Sequence, residues 1–213
     1  MIRVDGKQAG YLQTALKNGL EVILQENHSV PMISAHIFVK AGGITENRWL
    51  GSGISHYCEH LISSGTTSRR TQEQYIKFID SIGAISNAYT TLDHTSYFIT
   101  AEKQHQDQVL EMLSEWVTGC IFRAKEVERE KQVIIKEINM RNDEAPRSAY
   151  NLLGEVMYKF HPAKNPNIGH LELFVKLSRD DLVAYYDQMY IPNNSVLVVA
   201  GDFDTQEIQE KIG

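Results

Sequence analysis

Cysteine is almost missing from this chain. Cys58 and Cys120 are the only two in 213 residues, too few for a disulfide framework, and both read as small buried apolar side chains. No apolar run approaches the roughly 20 residues needed to cross a membrane. No secretory signal stands out between Met1 and Gly10, which favours the cytoplasm, or the periplasm if a leader has been removed, and leaves the compartment unassigned. Basic runs are lacking too. Lys and Arg number 21 against 27 Asp and Glu, a net charge of −6, which argues against nucleic acid as a partner. Repeats and low-complexity stretches are absent, so residues 1–213 are expected to form one domain. A hydrophobic share of 42% is enough for one sizeable core.

Strand patterns occur around Glu21–Gln25, Ile33–Lys40, Ile85–Thr91, Ser96–Ala101 and Ser195–Ala200. Helical patterns cover Thr71–Ile82, Lys103–Cys120, Lys125–Arg141, Ser148–Phe160 and Ser178–Met189. Thr71 with Gln74 reads as a capping box, and Gly83 ends that helix. Hairpins and runs of helices, rather than strict alternation, predict an α+β fold: a mixed, largely antiparallel sheet with helices packed on one face.

Chemistry is concentrated in His56-Tyr57-Cys58-Glu59-His60, an H-x-x-E-H pentad, the inverse of the H-E-x-x-H zinc motif. On a helix, histidines four apart lie about 40° and 6 Å from each other, so both imidazoles reach one ion. Glu59 falls about 60° to the other side of His56, near the metal but free to act as a base. Cys58 lies about 200° around the helix from His56 and is not a ligand. Ser52 is expected to cap this helix and Gly65 to end it. The bland alternative, two solvated histidines and a solvated glutamate, fits five residues equally well.

A third ligand is expected from elsewhere, because catalytic zinc usually keeps three protein ligands and an open position. Between Lys125 and Arg141, Val127, Ile134 and Ile138 define an apolar stripe that Glu130 and Glu137 share. Carboxylates on a core-facing stripe are costly unless paired or metal-bound. They are either ion-paired, with Lys131 and Arg141 as partners, or a ligand and a carboxylate that orients a histidine.

The pentad followed 77 positions later by Glu137 resembles the pitrilysin/insulinase family of inverted-motif zinc metallopeptidases, which includes the mitochondrial processing peptidase. Leu16 to Glu26, Phe38 to Gly42, His60 to Thr66, Gly83 with Asn87 to Thr90, Asp93 to Tyr97 and Tyr185 to Asp202 carry the likeness along nearly the whole chain. The resemblance implies one Zn2+ held by His56, His60 and Glu137, Glu59 as general base on zinc-bound water, and Glu130 behind the ligands. It implies that Asn87 and Ala88 lie on an edge strand where a substrate peptide adds as a further strand, which suits the free N–H and C=O groups of an edge.

The activity so implied is a zinc-dependent endopeptidase hydrolysing extended peptides or unfolded proteins. The alternative is a non-catalytic assembly subunit on the same fold; a metal hydrolase acting on a small substrate is a further rival. The family pairs an active half with a homologous inactive one, in one chain or as a partner subunit. No second half is visible here, and Ile212-Gly213 falls a few residues into a last helix. The chain is therefore expected to be a piece of a longer one, or else a subunit that needs a partner, with the first favoured, and to be weakly active or inactive alone.

Overall fold

A computed structural model describes residues 10–64 and 66–212. Gly65, the expected end of the motif helix, lies outside the described residues, as does most of the Met1–Gly10 stretch. Six strands form the sheet: β1 (Leu12–Ala15), β2 (Glu21–Glu26), β3 (Met32–Val39), β4 (Ile85–Thr90), β5 (Thr95–Glu102) and β6 (Ser195–Gly201), in the order β1-β2-β6-β3-β5-β4. Every pairing is antiparallel except β2 with β6. The mixed, largely antiparallel α+β expectation therefore holds.

One-sided cover follows from the pleat, which sends alternate side chains to opposite faces. In β3, Ile33, Ala35, Ile37 and Val39 are buried, while Met32, Ser34, His36 and Phe38 stay half-exposed. The motif helix α1 (Ile54–Ser63) packs on β4 and β5, and α3 (Gln106–Thr118) packs on β3 and β5. Between them in the chain, α2 (Gln72–Ser81) carries the expected capping box, Thr71 with Gln74. Next come α4 (Ala124–Asp143), α5 (Ala145–Met157), the one-turn α6 (Leu171–Phe174), α7 (Arg179–Met189) and α8 (Thr205–Ile212).

Some boundaries differ from expectation, each for a local reason. α5 starts three residues early because Pro146 in its first turn is pre-set for a helix. Lys103–His105 form a 3-10 turn ahead of α3. β1 carries no alternating signal, since none of its four residues is buried, and α6 is too short for a period to show. Ser178 caps α7 through Asp181.

Candidate metal centre

α1 is held almost entirely inside the protein. Ile54, Tyr57, Cys58, Leu61 and Ile62 are buried, and so are His56 and Glu59. Tyr57 donates from its hydroxyl to the Val127 carbonyl at 2.5 Å, tying α1 to α4. Ser55 Oγ lies 2.8 Å from the Tyr185 hydroxyl on α7. Cys58 is fully buried with a free thiol facing α7, the apolar role expected of it.

Ser52 does not cap α1. The N-cap is Gly53 at φ 73°, and a carboxylate from outside the helix does the capping. Glu46 accepts from Gly53 N at 3.2 Å and from both Ser55 N and Ser55 Oγ at 3.0 Å. A glycine is required at 53: the left-handed conformation disfavours a side chain, and a Cβ would stand 2.1 Å from the Ile168 carbonyl oxygen. The Pro166–His170 loop thus presses on the chain just where the motif helix begins.

Glu46 is 1% exposed, and burial pushes its carboxyl up to about 7 despite the N–H donors that favour its charge. An unfolded glutamate titrates near 4.5. Between these values the folded chain keeps a proton the unfolded chain has released, so stability falls as pH rises from about 4.5 to about 7. Urea unfolding across that window should show this downward slope in the wild type and lack it in Glu46→Gln. Equal slopes in the two proteins would contradict it.

The histidines sit as the i, i+4 spacing requires. Their rings are 4.6 Å apart at 77°, and both Nε2 atoms turn toward α4, where Glu137 Oε2 lies 3.3 Å from His56 Nε2 and 3.6 Å from His60 Nε2. The Nδ1 atoms face away from that point. His56 Nδ1 meets Glu59 Oε2 at 3.1 Å, and His60 Nδ1 meets Glu130 Oε2 at 3.5 Å, long for a hydrogen bond. One ligand atom from each of His56, His60 and Glu137 lies within 4.8 Å of the others, the group among the described residues able to hold an ion in this way.

The surrounding charges suit a cation. The nearby imidazoles of His56 and His60, with Arg141 beside it, hold Glu137 well below the usual carboxylate range. Burial alone would lower His60, but Glu130 and Glu137 outweigh it and bring the imidazole up to about 9. A field that favours a proton there favours a divalent cation in its place, and two imidazoles with a carboxylate are a donor set zinc accepts. The donor set therefore fits the metal that the motif implies.

Partners of the α4 glutamates are sorted differently from the sequence expectation. Arg141 does pair with Glu137. Lys131 instead donates to the Leu177 carbonyl at 2.7 Å, and Arg129 takes its place against Glu130 at 3.0 Å. The helical period reveals neither the Lys131–Leu177 contact nor the Arg129–Glu130 pair.

β4 stands at the sheet edge, carrying Asn87 and Ala88. Asn87 is exposed and its Oδ1 accepts from its neighbour's Ala88 N at 2.9 Å. Thr90, two residues on, donates to Glu59 Oε2 at 2.9 Å. His94 turns to Asp93 and Thr91 instead of the metal cluster. Arg141 and Ile138 help to line a cavity of about 1050 Å³ with Leu92, Tyr150, Leu153 and Asn167. The contacts of Glu46 and Thr90 with the motif helix have no signal in the sequence, since nothing in their spacing links either to the pentad.

Several known proteins are similar to this chain in sequence and structure. The family model described as Insulinase (Peptidase family M16) matches residues 21–170, and one described as Peptidase M16 inactive domain matches residues 176–213. The second segment includes β6, which pairs with β2 and β3 from the first, so one sheet contains both. A protein of Rickettsia felis named an uncharacterized zinc protease is 31% identical over 193 residues, 91% of this chain and 46% of that protein. Cytochrome b-c1 complex subunit 1 of Bos taurus is 31% identical over 194 residues, covering 91% and 40%. The crystal structure of a protease from Helicobacter pylori matches with a TM-score of 0.88 and 27% identity, over 94% of this chain and 48% of that one. The chain spans less than half the length of each of these relatives. With the family model covering most of the described residues and the H-x-x-E-H helix facing its glutamate, the chain belongs to the insulinase family, peptidase family M16.

Proposed function

We propose that this chain is the catalytic half of a zinc-dependent endopeptidase that hydrolyses extended peptides or unfolded segments. The observation that carries the reading is the convergence of His56 Nε2 and His60 Nε2 on Glu137 Oε2, with the Glu59 carboxylate beside His56. His56, His60 and Glu137 would hold one Zn2+. When bound, zinc supplies Lewis acidity, polarising the scissile carbonyl and lowering the pKa of water toward about 7. Glu59 takes the proton from the attacking water and returns it to the leaving amine. Glu130 steadies the His60 ring through Nδ1, and Asn87 and Ala88 offer the edge of β4 to the peptide.

Residues 1–213 act as one domain in this reading, and a homologous second half, in the same chain or as a separate subunit, closes over the substrate. The surface of α5 supports a missing neighbour. It buries none of its own residues, and Tyr150, Leu152 and Val156 are 71%, 60% and 75% exposed.

The likeness to a cytochrome b-c1 subunit favours a second reading, an assembly subunit without catalysis. The complete ligand set with its base supports the enzyme instead. A quenched extended peptide, offered to this chain together with its second half, should be cleaved, lose cleavage on chelation and regain it with added zinc. No zinc-dependent cleavage would leave the assembly reading standing.

A further inference from the structure

Thr90 closes β4, the edge strand, and its position in the pleat turns its side chain to the half-buried face with Ser86 and Ala88, while Ile85, Asn87 and Tyr89 are exposed. α1 packs against this strand. The Thr90 hydroxyl has a single proton and two acceptors in reach, Glu59 Oε2 at 2.9 Å and Thr95 Oγ1 at 3.2 Å. Thr95 gives its own proton to the Ala41 carbonyl at 2.7 Å and so offers Thr90 only a lone pair. An ionised carboxylate is the stronger and here the nearer acceptor, so the Thr90 proton goes to Glu59.

Glu59 Oε2 therefore faces two partners, the Thr90 hydroxyl and His56 Nδ1 at 3.1 Å. Glu59 Oε1 has no hydrogen-bond partner among the described residues. The end of β4 is itself braced: Asn167 Nδ2 lies 3.5 Å from the Thr90 carbonyl, and Gly43 N donates to the Thr91 carbonyl at 3.2 Å.

We propose that Thr90 is a positioning residue for Glu59: it pins Oε2 from the edge strand, leaving Oε1 as the oxygen that accepts the proton. This rests on the peptidase reading above and adds a link between the strand offered to the peptide and the base that acts on it. Thr90→Val keeps the shape and removes the proton donor, whereas Thr90→Ser keeps the hydroxyl.

With the second half supplied and a quenched peptide as probe, Thr90→Val should lower kcat about 10- to 100-fold with KM unchanged, the range expected for one hydrogen bond to a charged group. Thr90→Ser should stay near wild type. Wild-type kcat in Thr90→Val, or a Thr90→Ser variant as slow as Thr90→Val, would overturn the role. Should the valine variant fail to unfold cooperatively, Thr90→Ala takes its place with the same expectation.

Crystal structures of the metal-free variants give a second readout that needs no activity. Glu59 Oε2 should remain on residue 90 in Thr90→Ser and leave it in Thr90→Val, with the carboxylate rotated. An unmoved carboxylate in both would overturn the proposal. A wild-type assembly that shows no chelator-sensitive cleavage would remove the peptidase reading, and the crystallographic comparison would still decide on Thr90.

Discussion

Glu59→Gln is expected to reduce turnover of a peptide substrate by about 10²- to 10⁴-fold, the range that general acid–base groups supply, while the protein keeps its zinc. The amide is nearly isosteric and retains an acceptor oxygen for the Thr90 hydroxyl, which now reaches Glu59 Oε2 at 2.9 Å. It has no basicity with which to take a proton from water. The proposed ligand atoms His56 Nε2, His60 Nε2 and Glu137 Oε2 are untouched by the change. Metal analysis beside a peptidase assay on the assembled protein separates the two effects. Turnover within tenfold of wild type would remove Glu59 from the role of base.

Glu137→Ala should have the largest effect on metal binding. Three ligand atoms within 4.8 Å of one another would become two, and the pocket would lose the carboxylate toward which both Nε2 atoms turn. The loss should exceed the 10- to 100-fold typical of removing a group that only orients a ligand. Glu130→Ala, which deletes the contact with His60 Nδ1 at 3.5 Å, should fall within that smaller range. Competition with a chromogenic zinc chelator ranks the two variants. Equal affinities for wild type and Glu137→Ala would exclude Glu137 as a ligand. A larger loss for Glu130→Ala would exchange the two roles.

Helical period by itself exposes much of this centre. The four-residue spacing of His56 and His60 sets them on one face, and the buried Val127, Ile134 and Ile138 of α4 lie on the stripe read from sequence. The local cap of Thr71 with Gln74 is equally readable. Each of these signals is carried by residues within about three turns of each other. Lys131 shows the limit of such reading: the period places it near two glutamates, and packing sends it to the Leu177 carbonyl.

Glu46 shows another limit. A capping residue is ordinarily sought beside its helix, yet this carboxylate precedes Gly53 by seven positions and reaches α1 because the intervening chain folds back. Gly53 gives no sign in sequence that the Pro166–His170 loop passes over it, and a Cβ there would meet Ile168 more than a hundred residues away. β1 gives no sign in the sequence because an edge strand with no buried residue leaves no alternation.

By itself the sequence determined which residues could share a helix face: His56 with His60, and Glu130 with Glu137 along the apolar stripe of α4. It also determined the strands and helices long enough to repeat a period. Only tertiary structure decided that Glu137 Oε2 comes within 3.6 Å of both Nε2 atoms, that β6 inserts between β2 and β3, and that the Thr90 hydroxyl donates to the carboxylate of Glu59. The division has a physical cause. Helix and strand periodicity come from backbone geometry and are written in neighbouring residues. Contacts between residues dozens of positions apart depend on how whole elements pack, and that is set by the core they bury together.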